Sequence, residues 1–371
     1  MGVFIVEKAE SWQLELEEYI RQGEPDQAVK SAAWQTAIGL QKVDGLIPSP
    51  YLVETAKEHI EGNIDMTAAK QRIQSYYEES INRKSVEDRT AEADLVSVHI
   101  AELLGETTFQ FSPVELQRIH RRLFTGVYDH AGAFRTYNIT KKEWILNNRT
   151  VTYASCDSIQ DTLDYDFGQE KAFSYDGLSI PESVRHIAKF ASGVWQIHPF
   201  CEGNTRTTAV FIIKYLKTFG FQINNDIFAK HSWYFRNALV RANFNDFQNR
   251  IHATTEYLEL FFENLLLGSD HELKNRYLHV DYKKEFQSAN PQAPKCKICT
   301  LNCTLEELAV LRAISENPRI TQKALAENLG KSPRTIKTRT VSLQEKGYLR
   351  RANGKRNGLW EVLVDVDSCL A

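Results

Sequence analysis

The sequence predicts a mainly α-helical protein with one β-hairpin near its middle and a small helix-and-wing unit at its C-terminal end. Three observations lead to that prediction. Apolar residues recur three and four positions apart over much of the chain, which is typical of helices that bury one face. Two short apolar runs flank Asn147-Asn148-Arg149, a turn signal. Beyond residue 304, three helical patterns precede two strand-like runs.

Length and composition set the broad class. The chain has 371 residues, enough for two or three domains. Its net charge of −3 excludes a general polycation, so nucleic-acid binding would need a local basic patch. We find no apolar run of about 18 residues and no secretory signal at the N-terminus, so we expect no membrane partner. Six cysteines make no disulfide scaffold, and we expect a cytoplasmic protein.

Turn-rich stretches divide the chain into four segments. Residues 1–85 are predicted to be a helical N-terminal segment and residues 86–268 a helical core. Residues 269–303 form a connector, and residues 304–371 form the C-terminal unit. Cys296, Cys299 and Cys303 lie close together in the connector. Zinc requires four ligands and no fourth is nearby, so ordinary thiols are favoured over a metal site.

The nine residues from His198 to Arg206 hold the strongest functional signal. Pro199 helps to end the apolar helix that precedes it, and Gly203 and Asn204 tolerate the dihedral angles of a tight turn. The following helix begins there, and its free N–H groups with Arg206 make an anion site. A base, a carboxylate at Glu202 and an arginine thus converge, which suits phosphate chemistry with Mg²⁺.

This stretch, His198-Pro199-Phe200-Cys201-Glu202-Gly203-Asn204-Thr205-Arg206, resembles the signature His-Pro-Phe-x-(Asp/Glu)-Gly-Asn-x-Arg-x-x-Arg of the Fic (Fido) family. The resemblance implies a protein adenylyltransferase, which transfers AMP from ATP to a hydroxyl of a target protein. It assigns proton abstraction to His198, Mg²⁺ binding to Glu202, and phosphate binding to Gly203, Asn204 and Arg206. Phe200 would anchor the loop in the core. The alternative is an ordinary helical corner around a buried histidine.

One position departs from the family. The last arginine of the signature falls at Ala209, and in the family that arginine holds the γ-phosphate and pairs with an inhibitory glutamate. Its loss puts in question how ATP binds and which nucleotide is used. Transfer of another phosphate-containing group therefore remains an alternative.

The N-terminal segment resembles the small helical antitoxin modules that accompany many Fic domains. Their inhibitory motif, Ser/Thr-x-x-x-Glu-Gly, has a degenerate match at residues 40–45, where Asp44 stands for the glutamate. Residues 75–80, with Glu79, are a competing match. The third interpretation is a structural cap without a regulatory ion pair.

Residues 139–153 are predicted to form a β-hairpin flap, to which an extended segment of the target protein would pair near His198. Lys141 and Lys142 would lie at its base and contact nucleotide or solvent. The alternative is a hairpin that only closes the core. By analogy with the family, Tyr234 and Asn237 are candidates for the pocket that holds the nucleotide base, although an aromatic at helical spacing is more often core.

Residues 304–371 resemble a winged helix-turn-helix. The third helix carries Arg334, Lys337 and Arg339; the wing carries Arg350, Arg351, Lys355 and Arg356. This local excess of cations favours DNA binding with the third helix in the major groove. A winged helix that binds another protein is the alternative.

The fold class expected overall is mainly α, a Fic (Fido) helical core with a β-hairpin flap, plus a C-terminal winged helix domain. The first functional hypothesis is an ATP- and Mg²⁺-dependent adenylyltransferase. The second is a DNA-binding regulator whose Fic core senses a nucleotide. The sequence leaves a homodimer open.

Overall fold

The structure, a computed structural model, describes residues 2–80, 88–221, 227–282, 301–352 and 359–366. For residues 2–11, 79, 80 and 88 only the backbone is described. Within these ranges, helices and short turns make up nearly all of the regular structure, and none of the helices combines the length and the apolar composition of a membrane span.

The N-terminal segment is helical, as predicted. It consists of α1 (Gly2–Gln22), α2 (Pro25–Leu40), a 3₁₀ helix (Gln41–Asp44), α3 (Pro50–Ile60) and α4 (Met66–Ser80). Local sequence explains where these helices start. Pro50 occupies the first turn of α3, and the hydroxyl of Ser49 accepts a hydrogen bond from the N–H of Leu52.

The core contains seven α-helices in the described residues. They are α5 (Asp88–Gly105), α6 (Pro113–Phe124), α7 (Ile159–Ala172), α8 (Ile180–Ile197), α9 (Asn204–Lys217), α10 (Ile227–Ala242) and α11 (Glu256–Leu267). The predicted cap at Ser112 and Pro113 is confirmed, since the Ser112 hydroxyl accepts from the N–H of Glu115. Three 3₁₀ helices lie between or after them, at Trp144–Leu146, Cys156–Ser158 and Asn275–Leu278.

The flap differs from its prediction. Instead of two strands, residues 139–153 contain a single antiparallel bridge, Glu143 with Arg149, which closes a tight loop around the 3₁₀ helix Trp144–Leu146. The predicted strands are wrong because Ile145 and Leu146 are both fully buried, and two adjacent buried side chains do not fit the alternation of a strand. The chain reversal itself is confirmed.

The C-terminal unit is a winged helix. It contains α12 (Leu305–Glu316), α13 (Gln322–Asn328) and α14 (Pro333–Glu345), then β1 (Leu349–Ala352) paired antiparallel with β2 (Leu359–Val362). The predicted capping box is present, because Thr304 and Glu307 each accept the other's backbone N–H. Arg312 joins this unit to the core by donating to the carbonyls of Leu266 and Leu267 at the end of α11.

The N-terminal segment packs directly on the core through α2, which lies against α5 and α10. Gly39 allows this close approach: a Cβ at Gly39 would stand 2.1 Å from the Cα of Ala229 on α10. Ser232 then donates to the carbonyl of Gly39 at 2.8 Å. The 3₁₀ helix that follows α2 is thereby placed beside α9, which carries Arg206.

Candidate active site

His198 ends helix α8 and begins the signature loop. Its backbone is left-handed, with φ of 50°, and its N–H donates to the carbonyl of Trp195 at 3.1 Å. The side chain is 3% exposed and lies between the rings of Tyr153 and Trp195, with ring centroids 4.3 and 5.3 Å away. Its Nε2 is buried and has no hydrogen-bond partner among the described residues.

Burial also sets the charge of this imidazole. It lowers the pKa of His198 well below the ordinary value, and the positive charges of Lys141 and Arg135 add to the lowering. The ring is therefore neutral at pH 7, and at least one nitrogen can accept a proton.

Arg135 fixes the main chain around His198. Its guanidinium donates to the carbonyls of His198 at 2.8 Å, Tyr137 at 2.9 Å and Ala154 at 2.5 Å. The backbone N–H of Arg135 donates to the carbonyl of Pro199 at 2.9 Å. One buried cation thus joins the end of α8 to the segment that carries Tyr153.

His120 holds the middle of the loop, and the sequence did not indicate this role. The N–H of Gly132 donates to its Nδ1 at 2.8 Å, so Nε2 carries the proton and donates to the carbonyl of Glu202 at 3.0 Å. Burial lowers the pKa of His120 to about 3. The ring stacks on Phe200 with centroids 3.7 Å apart, and Phe200 is buried as predicted.

Gly203 makes the turn into α9. Its φ is 76°, and a Cβ there would stand 2.3 Å from the ring of Phe124, so both the dihedral angle and the space require glycine. Asn204 differs from expectation, because it is the first residue of α9 and has no positive φ. Its amide instead closes the loop, accepting from the N–H of Phe200 at 3.0 Å and donating to its carbonyl at 2.7 Å.

Glu202 is the loop's exposed carboxylate, with 56% of its side chain accessible. Its Oε2 lies 3.1 Å from the Nζ of Lys141, from the base of the flap. One carboxylate together with phosphate oxygens is a common ligand set for Mg²⁺, so the residue fits the role that the resemblance implies.

Arg206 is almost fully buried and is engaged by residues far away in the chain. Its Nε lies 2.8 Å from Oδ2 of Asp44, and its Nη2 lies 2.7 Å from Oε1 of Glu92. Nη1 donates to the Oε1 of Gln41 at 3.1 Å. The predicted inhibitory residue Asp44 therefore contacts the signature loop. Its partner is Arg206, whereas the family pattern places the partner at position 209. Position 209 is an alanine and is buried in the core.

A second ion pair lies close to His198 and was missed at the sequence level. Glu143, 1% exposed, accepts from both terminal nitrogens of Arg236 on α10, at 2.6 and 3.0 Å. The hydroxyl of Tyr153 is buried without a partner among the described residues, and burial raises the pKa of Tyr153. Glu143 and Arg236 are 93 positions apart in sequence, so no local sequence pattern could predict their ion pair.

The two candidates for the base pocket lie inside α10. Tyr234 is 1% exposed and belongs to the apolar core, and Asn237 is fully buried. The amide nitrogen of Asn237 donates to the Oδ1 of Asn275 at 2.7 Å, whereas its oxygen has no partner among the described residues. Their contact with a nucleotide stays a prediction.

In the winged helix, α14 presents its cations unevenly. Arg334 and Lys337 are exposed, and no ion pair with either is found in the part of the chain that the structure describes. Arg339 is paired with Glu306 at 2.9 Å and with Asp176 of the core at 2.8 Å. In the wing, Arg350 pairs with Glu361 and Arg351 stacks on Trp360.

Several predicted residues lie outside the description. These are the side chain of Glu79, Cys296 and Cys299 of the connector, and Lys355 and Arg356 of the wing. Cys303 is described; it is buried, and burial raises the pKa of its thiol to about 12.

This helical core, with a buried histidine at the head of an anchored glycine-asparagine loop, defines a Fic-type fold. Comparison with known proteins agrees. Residues 110–216 match the sequence model of the Fic/DOC family, and residues 307–350 match that of a winged helix-turn-helix DNA-binding domain. The chain therefore carries a Fic/DOC domain followed by a winged helix.

Among characterised proteins, the chain is similar to the protein adenylyltransferase VbhT of Bartonella schoenbuchensis. The alignment is 221 residues long at 27% identity; it covers 56% of this chain and 44% of that protein, so less than half of the relative is matched. Among solved structures, the N-terminal Fic domain of a Bartonella effector protein from Bartonella sp. AR 15-3 is 17% identical with a TM-score of 0.34, covering 54% of this chain and 81% of that one. A Fic family protein from Desulfovibrio desulfuricans G20 is 12% identical with a TM-score of 0.45, covering 98% and 96%.

Proposed function

We propose that the chain is a protein adenylyltransferase that transfers AMP from ATP to a hydroxyl side chain of another protein in the cytoplasm. The observation that carries this is the unpartnered Nε2 of His198 at the head of a loop fixed from behind by Arg135 and His120. A neutral imidazole in a rigid loop is suited to act as a general base. The similarity to a protein adenylyltransferase supports the same reaction class.

The proposed reaction is a nucleophilic displacement at the α-phosphorus of ATP. The target oxygen forms the new P–O bond, the bond to the bridging oxygen breaks, and pyrophosphate leaves. His198 takes the hydroxyl proton. Mg²⁺, for which Glu202 is the candidate ligand, would neutralise phosphate charge when bound. The α9 N-terminus behind Gly203 offers N–H groups to phosphate oxygens.

The described arrangement resembles a restrained site. Arg206 is occupied by Asp44, Glu92 and Gln41, so its guanidinium can reach a phosphate only if these contacts open. We infer that the 3₁₀ helix Gln41–Asp44 restrains the enzyme by holding Arg206 in place of the missing arginine at position 209. The competing interpretation, a structural cap, predicts no gain of activity when Asp44 is neutralised.

The target segment is proposed to dock on the flap, residues 139–153. Within it, residues 150–153 have no regular secondary structure and pair with no strand in the described ranges, and Tyr153 contacts the ring of His198. Such an edge offers main-chain groups to an extended peptide. The outer side of the flap is closed, because the N–H of Val280 in the connector donates to the carbonyl of Ile145 at 2.9 Å.

The test is incubation of the protein with labelled ATP, Mg²⁺ and cell extract. We expect labelled protein bands, reduced at least about a hundredfold in His198→Ala, the effect typical of losing a general base. His252→Ala, which removes an exposed histidine, is the control and should label normally. Undiminished labelling by His198→Ala would remove the catalytic role of His198. Mass spectrometry of the product distinguishes AMP from phosphate or UMP.

A second activity, DNA binding, is favoured by two exposed cations of α14 that form no ion pair with any described residue. Arg334 and Lys337 project from its first two turns, where a recognition helix contacts DNA. Fluorescence anisotropy with labelled duplexes tests it. The double variant Arg334→Ala with Lys337→Ala should bind DNA more weakly, and absence of binding by the unmodified protein would leave the protein-interaction alternative.

A further inference from the structure

A groove of 810 Å³ opens on the core surface between α7 and α8, and the signature does not account for it. We call it the α7–α8 groove. Its lining includes Asp166, Gln169, His186, Lys189, Gly193 and Gln196. The residues from α8 follow one helix face and lead from the middle of that helix towards its end at His198.

Asp166 gives the groove an uncompensated negative charge. Its carboxylate is half-buried, and burial raises its pKa. No hydrogen bond or ion pair reaches it from any residue that the structure describes. Lys189 also lines the groove, but it is exposed to solvent and forms no ion pair with Asp166. Asp166 therefore has no paired cation among the described residues, although its carboxylate has already lost part of its water.

The other buried carboxylate of the groove is fully occupied. Glu170 accepts from the hydroxyls of Tyr175 and Tyr215, at 2.6 and 2.5 Å, and it binds Nε2 of His186 at 2.6 Å. Both of its oxygens are used within the protein. Asp166 is thus the carboxylate left for a ligand.

Gly193 gives the groove its depth at this point. A Cβ on Gly193 would lie 3.4 Å from the Oδ2 of Asp166, so the missing side chain keeps open the space in front of the carboxylate. Glycine within a helix costs about 1 kcal/mol relative to alanine. Glycine at position 193 therefore lowers the helical stability of α8 and leaves the groove open.

The groove continues to the flap. The Nε2 of Gln196 donates to the carbonyl of Thr152 at 3.0 Å, and the next residue, Tyr153, lies on the ring of His198. Along α8, the five residue steps from Gly193 to His198 correspond to a rise of about 7.5 Å. An extended peptide covers that distance in two or three residues.

We propose that the α7–α8 groove binds a lysine or arginine side chain of the protein that is modified, two or three residues from the modified hydroxyl, with Asp166 as its counter-charge. This inference rests on the proposed transferase function. It adds a substrate preference: a basic residue near the acceptor serine, threonine or tyrosine. Charge complementarity at Asp166 and continuity with the flap carry it.

The test uses two fluorescent peptide pools that are identical except at one site. Each has a central serine, threonine or tyrosine, with either arginine or its neutral isostere citrulline two or three residues away. Binding is measured by anisotropy without nucleotide, so it does not depend on catalysis. We expect the arginine pool to bind about fivefold more tightly, the effect of one partly desolvated ion pair.

Asp166→Asn should abolish that preference, and Asp166→Lys should replace it by a preference for glutamate at the same position. Asp161→Asn, the same change at an exposed site of α7, should keep the arginine preference. Equal binding of arginine and citrulline pools by the unmodified protein overturns the proposal. Binding of spermidine without binding of peptide also overturns it, because the occupant would then be a small cation.

Labelled ATP added to the same mixtures separates the two proposals. Label transfer that requires His198 but ignores arginine would overturn the groove and leave the transferase standing. Arginine-dependent binding with no transfer to any peptide or extract protein would overturn the transferase and leave a groove for basic peptides.

Discussion

The signature loop and helix α14 both carry cations suited to phosphate, but these cations differ in burial and in ion pairing. Arg206 of the loop is buried and held by two carboxylates. Arg334 and Lys337 of α14 are exposed and unpaired among the described residues. A solvated cation can bind an anion without breaking a contact, whereas a buried ion pair must first be opened.

This difference in burial and ion pairing shows which of the two regions would need a conformational change before it could bind an anion. DNA phosphates could contact Arg334 and Lys337 without a rearrangement of α14. A phosphate could reach the guanidinium of Arg206 only after its present contacts, including the ion pair with Asp44, have opened. The four predictions below test this contrast between a closed core and an open C-terminal surface, in decreasing order of expected effect.

The largest effect is expected from the glycines that make the turns of each region. Gly203 and Gly330 both have positive φ, but only Gly203 is crowded, by the ring of Phe124. Gly203→Ala should lower the free energy of unfolding by about 4 kcal/mol, from dihedral strain plus overpacking. Gly330→Ala has only the strain and should cost about 1 kcal/mol. Urea unfolding measures both, and equal losses would contradict the crowding.

Acid should weaken the core and spare the winged helix. The folded pKa values of His120 and His198 are depressed, so the unfolded chain takes up protons below pH 6.5 and the folded core does not. Stability is therefore lost as pH falls through that value, by about 1.4 kcal/mol per histidine at pH 5.5. Residues 304–371 contain no histidine. Protection factors from hydrogen exchange, which correct for the intrinsic rate at each pH, should fall between pH 7.5 and 5.5 in the core alone.

Neutralising Asp44 should open the nucleotide site. Asp44→Asn leaves Arg206 with Glu92 as its remaining carboxylate, so we expect about tenfold more labelling from ATP and a loss of stability of about 2 kcal/mol. Glu58→Gln breaks an exposed pair with Arg72 in the same segment and should change neither quantity appreciably. Labelling that stays constant in Asp44→Asn would favour the structural cap.

The smallest effect concerns the open surface. Each phosphate contact contributes about 0.9 to the slope of log affinity against log salt. Replacing both Arg334 and Lys337 by alanine should therefore reduce the magnitude of that negative slope by about 1.8. Lys171→Ala, at an exposed position of α7, should leave the slope unchanged. Filter binding of a duplex between low and moderate salt gives the slopes. An unchanged slope would mean that these side chains do not contact phosphate.

Local sequence was sufficient for most elements. Caps at Ser49, Ser112 and Thr304 mark helix starts because hydroxyl and N–H lie within one turn. Helix α7 was missed, since Gly168 and several acids interrupt its apolar positions. The flap was misjudged because burial of adjacent residues is decided by the surrounding core, which no short window contains.

The site itself was predicted in part. The contiguous signature identified the loop, whose ends were placed correctly between α8 and α9. The contacts that fix the loop come from His120, Arg135 and Glu92. These residues are about 60 to 115 positions away in sequence and come close to the loop only when the chain folds. Asp44 was selected from a degenerate motif, but its partner was assigned to position 209 because spacing does not reveal which face of α9 meets the 3₁₀ helix Gln41–Asp44.

Arg312 has a mechanical consequence. Its guanidinium donates to the last carbonyls of α11 and to the carbonyl of Val366. Rotation of the C-terminal unit relative to α11 would have to break these hydrogen bonds. If α14 binds a duplex, force applied to the winged helix would therefore be transmitted through Arg312 to the helical core.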